Sequence, residues 1–243
     1  MGRKWNNIKD KKAGQDKARG QIYTKILKEI TKAAKGGDNP ESNFMLRLAL
    51  DKAKANNVPR DNVERAIKKG AGGDDEGYED INYEGYGVGG VALFIEASTN
   101  NGTRTAGNVK SYFNKYGGSL GTPGCLQFVF EQKVVYELKS EGIDEESFTL
   151  EMIDAGAEDI ERDDEGYFIV KGPLESFGSI QKKMDELGLT AEEAGMERLP
   201  LNFKEVDQET FTQVMKLITT LENDDDVNKV YHNIQYDEAL FAD

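Results

Sequence analysis

The chain has 243 residues, of which 37% are hydrophobic, and a net charge of −14; this suits a soluble globular protein of two or three small domains and excludes disorder throughout. Its longest apolar run, around residues 91–95, is far short of the roughly 20 residues a membrane-spanning helix needs. Cys125 is the only cysteine, which rules out an internal disulfide and a cysteine-built zinc site.

No apolar run follows the first basic residues, so a secretory signal is not expected, and Gly2 lacks the Ser or Thr four residues on that myristoylation requires. The expected compartment is the cytosol, with no membrane partner.

The charge is segregated. Residues 1–70 hold 18 Lys+Arg against 8 Asp+Glu, leaving 13 against 37 in the rest, so a block of +10 precedes a body of −24. Such asymmetry marks a polyanion-binding end; the alternative is a merely solvated helical surface.

The first stretch, residues 2–26, carries Arg3, Lys4, Lys9, Lys11, Lys12, Lys17, Arg19 and Lys25 beside Trp5, Asn6 and Asn7. Cations neutralise phosphates, amides reach sugar or base edges, and an indole stacks on an exposed base. Trp5 can equally anchor the arm on its own domain.

Residues 20–35 have helical periodicity. Ile22, Ile26, Ile30 and Ala33 fall on one arc with Tyr23, Leu27 and Ala34, and Lys25, Lys28, Lys32 and Lys35 on the opposite one. Gly36-Gly37 ends this helix, and Asn39-Pro40 offers an N-cap for a second over residues 41–55. Val58-Pro59 opens a third through Val63, Ala66 and Ile67 to Gly70, with Arg60, Arg65, Lys68 and Lys69 outward.

Residues 70–90, rich in glycine and acids, read as a linker. Beyond it the spacing predicts a strand over 91–97, a helix over 104–116 and a strand over 126–131. A full β-α-β-β-α-β series follows: strand 134–138, helix 145–155, strands 159–162 and 167–171, helix 174–187 and strand 194–199. That order is the ferredoxin-like unit. A last helix over 208–221 and strand over 227–235 complete the interrupted unit, with residues 202–205 free to pair with either sheet. The expected fold is therefore α+β and multidomain: a basic helical domain (1–75), a discontinuous α/β domain (76–132 and 205–243) and an inserted ferredoxin-like domain (133–204), giving two ferredoxin-like domains, one inside the other.

Few motifs suggest chemistry. "YEGYGVGG" precedes a strand and not a helix, so it reads as a turn rather than a phosphate loop. In "TNNGTRTAGNV" Thr103 or Thr105 can cap a helix, and Arg104 at its positive end is a possible anion contact, although capping alone accounts for the threonines. The lone His232 sits in an alternating strand, where a structural role fits. Asp224, Asp225 and Asp226 can ligate magnesium, but a helix-to-strand turn explains them more simply. No catalytic residue, metal ligand or cofactor is expected.

Several long segments resemble the YebC/PmpR family: "MGRKWNNIKDKKA", "PESNFMLRLALDKAKANNVPRDNVERAIKKG", "YEGYGVGG", "TNNGTRTAGNVKSYFNKYGGSLG" and "VYHN". A mitochondrial relative in that family is the translational activator of cytochrome c oxidase I, and the start "MGRKW" is similar to the YeeN-like branch. The resemblance covers nearly the whole chain and implies a helical domain followed by two α/β domains, one inserted in the other. It also implies a polyanionic partner and no catalysis. Bacterial members are described as probable DNA-binding transcriptional regulators, while other descriptions point to ribosome binding and relief of stalling at proline-rich stretches.

Two readings follow. In the favoured one the chain is a ribosome- or RNA-associated translation factor whose helical domain grips rRNA or tRNA. In the alternative it is a DNA-binding transcriptional regulator, with Arg60, Asn62 and Arg65 of the third helix the best candidate readers. A small-molecule enzyme and a protein scaffold are the remaining classes; neither has a convergent constellation of residues behind it.

Overall fold

A computed structural model describes residues 15–72 and 78–235, with side chains from residue 20 onward. Three helices come first: α1 (Gln15–Ala34), α2 (Phe44–Ala55) and α3 (Arg60–Ala71). Their apolar stripes close on one another around Ile26, Ile30, Ala34, Leu46, Ala49, Ala53, Val58 and Ala66, as the helical spacing predicts for Ile26 and Ile30; Ile22, expected on the same arc, lies outside this core and is exposed.

Helix α2 begins later than the sequence suggests. Its cap is Asn43, whose carboxamide oxygen accepts from Leu46 N at 3.1 Å while its amide donates to Ala33 O and Gly37 O, both at 2.7 Å. One asparagine thus starts α2 and ties it to the end of α1, leaving Asn39-Pro40 in the preceding turn.

Helices α1 and α3 meet at a glycine. A Cβ on Gly70 would stand 2.2 Å from the Thr31 carbonyl oxygen, so only glycine lets the two backbones approach this closely.

The next elements are strands β1 (Glu79–Tyr86) and β2 (Ala92–Thr99), helix α4 (Gly102–Lys115) and strand β3 (Ser119–Leu120). The chain then leaves for residues 127–202 and returns as helix α7 (Gln208–Glu222) and strand β8 (Val227–His232). Together these strands make an antiparallel sheet in the order β3-β1-β2-β8. Leu93, Ile95, Val109, Phe113, Val214, Leu217 and Leu221 fill its core. Lys204 bridges in parallel to Ile234, so the returning segment joins the end of this sheet.

Two expectations change here. The stretch expected as linker contains β1: only Ile81 and Tyr83 supply inward apolar side chains, and the third inward position is Gly85, where the Phe113 ring would lie 2.8 Å from an added Cβ. A strand that lends its place in the core to a neighbouring helix loses its alternating hydrophobic signal. The strand expected at 126–131 is largely a turn, because the Glu84 carboxylate accepts from Gly124 N at 2.7 Å and Leu126 N at 2.6 Å and replaces strand pairing there. The discontinuous domain therefore opens on a hairpin before its first helix.

Residues 127–202 form a second compact unit. It contains β4 (Phe130–Lys139), α5 (Glu145–Asp154), β5 (Asp159–Arg162), β6 (Tyr167–Gly172), α6 (Phe177–Glu186) and β7 (Glu193–Pro200). The sheet order β5-β6-β4-β7, antiparallel throughout, is the ferredoxin-like arrangement. Phe168 and Phe148 stack at 4.8 Å within it, and Tyr136 donates to Phe177 O at 2.7 Å. No helix among the described residues is long and apolar enough to cross a membrane.

Candidate nucleic-acid interface

Helix α3 presents one group of the exposed cations of the helical domain. Its inner side is fixed by Val63, Ala66 and Ile67 in the core and by Gly70 against α1. This leaves Arg60, Arg65 and Lys68 exposed and Lys69 half-buried. Arg60 is 90% exposed and pairs with Glu64 one turn on at 2.9 Å, a surface contact worth only about 0.3–0.5 kcal/mol and easily exchanged for a phosphate.

Arg65 is more constrained: Nε donates to Asp61 O at 3.1 Å and its second amino group to the side-chain oxygen of Asn62. Asn62 and Arg65, two of the three candidate base readers, are thus bonded to each other.

The lysine face of α1 is placed differently from what its sequence suggests. Lys25 Nζ donates to Glu222 O at 2.6 Å and Lys28 Nζ to Asp225 O at 2.7 Å, with Asp226 Oδ1 at 3.8 Å; Lys32 is paired with Asp80. Lys28 also lies over the Tyr78 ring, 5.0 Å from its centroid. Gln21 extends the contact by donating to Asn223 O at 2.7 Å. Lys25 and Lys28 face the protein's own acidic turn between α7 and β8, and only 18% of the Lys28 side chain remains exposed, whereas Lys32 meets Asp80 of β1 and stays 65% exposed. At Lys25 and Lys28 the solvent-open surface expected from the sequence is corrected, because carbonyl and carboxylate oxygens already occupy it, while Lys32 and Lys35 remain exposed.

Arg104 meets the same turn. Asn101, not Thr103 or Thr105, caps α4 by accepting from Arg104 N at 3.0 Å. The Arg104 guanidinium bonds Asp226 Oδ2 at 2.6 Å, and Thr105 Oγ1 donates to the same oxygen at 2.8 Å. The anion that Arg104 holds is therefore an internal carboxylate.

Burial alone would raise the Asp226 pKa, but hydrogen bonds from Arg104 and Thr105 and the charges of Arg104 and Lys28 outweigh it and hold the group below the usual carboxylate range. Asp224 accepts from Tyr112 at 2.9 Å and Asn108 at 3.3 Å, and burial together with that bond pushes the Tyr112 hydroxyl up to about 12. The acidic turn is occupied with structure, which accounts for Asp224 and Asp226 by their carboxylates; Asp225 contributes its main-chain carbonyl to Lys28. His232 likewise has a structural bond, its Nδ1 accepting from Ile234 N at 3.2 Å.

The remaining expected contacts, Arg3, Lys4, Trp5, Asn6, Lys9, Lys11 and Lys12, lie outside the described residues, as do the side chains of Lys17 and Arg19 on the backbone of α1. Sequence reasoning did not single out Asp80 or Gln21, and it read Asp226 only as part of an acidic turn, not as the partner of Arg104 and Lys28. The lysine row and the acid run were both visible, but nothing local reports that two segments some 197 residues apart meet.

Comparison with known proteins bears on the whole chain. Residues 3–73 match the TACO1/YebC protein N-terminal domain and residues 78–234 the TACO1/YebC second and third domain. A probable transcriptional regulatory protein of Persephonella marina is 44% identical over 241 residues, covering 98% of this chain and 96% of its own. One of the same description from Hathewaya histolytica is 46% identical over 240 residues, covering 97% of both. The crystal structure of a conserved hypothetical protein from Aquifex aeolicus superposes with a TM-score of 0.78 at 38% identity, covering 90% of this chain and 91% of that one.

Proposed function

The chain belongs to the TACO1/YebC family, and on that premise we propose that it is a non-enzymatic, nucleic-acid-binding regulator of gene expression that acts in the cytosol at the ribosome. In this reading the exposed cations of α3 and the N-terminal arm grip rRNA or tRNA phosphates, and the factor relieves stalling at proline-rich stretches.

The observation that carries the reading is the outward face of α3. Arg60, Arg65 and Lys68 are exposed there on a helix held rigidly by its inner side, a geometry suited to phosphate contacts.

RNA is preferred to duplex DNA for a physical reason. A recognition helix inserts its N-terminal residues between the phosphate walls of the major groove. Here Asn62 already accepts from Arg65, so reading base edges with these residues would break an internal bond. A folded RNA surface offers phosphates without requiring entry into a groove.

A second reading, a DNA-binding transcriptional regulator, is favoured by the description that the Persephonella and Hathewaya relatives carry. Co-sedimentation with ribosomes, measured beside duplex-DNA binding at matched salt, separates the two. The proposal expects retention on ribosomes at salt where duplex binding is lost; stronger binding to duplex would overturn it in favour of transcription.

A further inference from the structure

The contact between α1 and the acidic turn has the chemistry of a polyanion site with an internal occupant. Lys25, Lys28 and Lys32 project from one side of a single helix, and each is met by an oxygen of the turn or of Asp80. Lys25 and Lys28 bond main-chain carbonyls, and carboxylates meet the row only through Asp226 at 3.8 Å and Asp80; a nucleic-acid backbone offers oxygens at similarly close intervals but with a full charge on each phosphate, so it can compete for the same ammonium groups.

The apolar core around Ile30 and Leu46 is separate from that around Leu93 and Phe113. Where α1 meets the sheet domain, the described bonds are therefore polar ones between ammonium groups and oxygens. A junction of that kind weakens as mobile ions screen it, since the Debye length shrinks from about 10 Å at 0.1 M salt to about 3 Å at 1 M.

We propose that the lysine row of α1 is a second anion-binding surface, covered at Lys25 and Lys28 by the 222–226 turn and tethered at the more exposed Lys32 by Asp80, and that an external polyanion displaces these contacts and swings the helical domain away from the sheet domain. This deepens the functional reading above, on which its choice of physiological polyanion rests. Binding through α3 and the arm would bring phosphates near α1, where they compete with the turn for the same ammonium groups. The protein would then expose the larger cationic surface only when a polyanion is already bound.

The test follows distance in the full chain. In a Cys125→Ser background, dyes on Lys54→Cys of α2 and Lys110→Cys of α4, both at exposed positions, report energy transfer between the helical and sheet domains. Raising the salt from about 0.1 M to about 1 M, or adding heparin as the polyanion, is expected to lower transfer. The variant Lys25→Gln/Lys28→Gln/Lys32→Gln should show the lowered value at low salt and respond little to either. Asp80→Asn, a change at an exposed carboxylate that leaves the buried Asp226 intact, should shift the opening to lower salt.

Transfer that ignores both salt and heparin, or a lysine variant that keeps the wild-type value, overturns the proposal. Because heparin is the probe, the two ideas fail separately: opening by heparin without retention on ribosomes refutes the translation reading alone, and ribosome binding without any opening refutes the mask alone.

Discussion

Replacing Gly70 by alanine sets two effects of opposite sign against each other. Helix propensity favours the change by about 1 kcal/mol, since glycine is the poorer residue in a helix interior. Packing opposes it: the new Cβ would lie 2.2 Å from Thr31 O and 2.8 Å from Ala34 Cβ, where ordinary contact is 3.4–4 Å. The obstacle is the backbone of α1, which has no rotamer to change, so α3 must back away by about an ångström and loosen the layer around Ile30, Ala34 and Ala66.

Overpacking of this kind costs about 1–3 kcal/mol, and a rigid obstacle places it toward the upper end. The net loss is about 1–2 kcal/mol, equivalent to a fall of roughly 5–15 °C in the midpoint of a domain this small. Far-UV circular dichroism of the full chain during heating reads the helical transition. A Gly70→Ala midpoint equal to or above wild type would mean that propensity outweighs packing, and would refute the seating of α3 on α1 that positions Arg60, Arg65 and Lys68.

Phe113 is fully buried and its ring fills the space above Gly85; Phe113→Ala should destabilise the discontinuous domain by about 3–5 kcal/mol in urea titrations. Asp226 gives a pH-dependent result. Its folded pKa is depressed, so its contribution is whole above the unfolded value of about 3.9 and is lost as pH falls through the folded value. Asp226→Asn should therefore cost about 1–3 kcal/mol at neutral pH. The gap from wild type should narrow as acid is added below about pH 4, and a gap of constant size would contradict the ion pairing with Arg104.

The parts of the fold that were legible in the sequence are those where each element supplies its own apolar face. The arc of Ile26 and Ile30 in α1 and the β-α-β-β-α-β series of residues 127–202 are of that kind, and both are found. What escaped depended on partners distant in sequence. Strand β1 leaves one core position to Phe113, Gly124 and Leu126 donate their amides to the Glu84 carboxylate, and Asn43 caps α2 while donating its own amide to the end of α1.

The candidate interface divides in the same way. Helical periodicity correctly puts the α1 lysines on one face and the α3 cations on another. Periodicity says nothing of what stands opposite each face, and for α1 that is the carbonyl edge of an acidic turn. Arg104 shows the same limit: its place at a helix start was readable, but the carboxylate beside it comes from 122 residues further along.

The most direct measurement is the salt dependence of RNA affinity for wild type and for Arg60→Gln/Arg65→Gln/Lys68→Gln. Each phosphate contact to single-stranded RNA contributes about 0.7 to the slope of log K against log salt. Removing three exposed cations of α3 should therefore flatten the slope by about 2 while the melting curve stays within a few degrees of wild type. An unchanged slope with unchanged affinity would show that these side chains do not meet the phosphates, and would contradict the account.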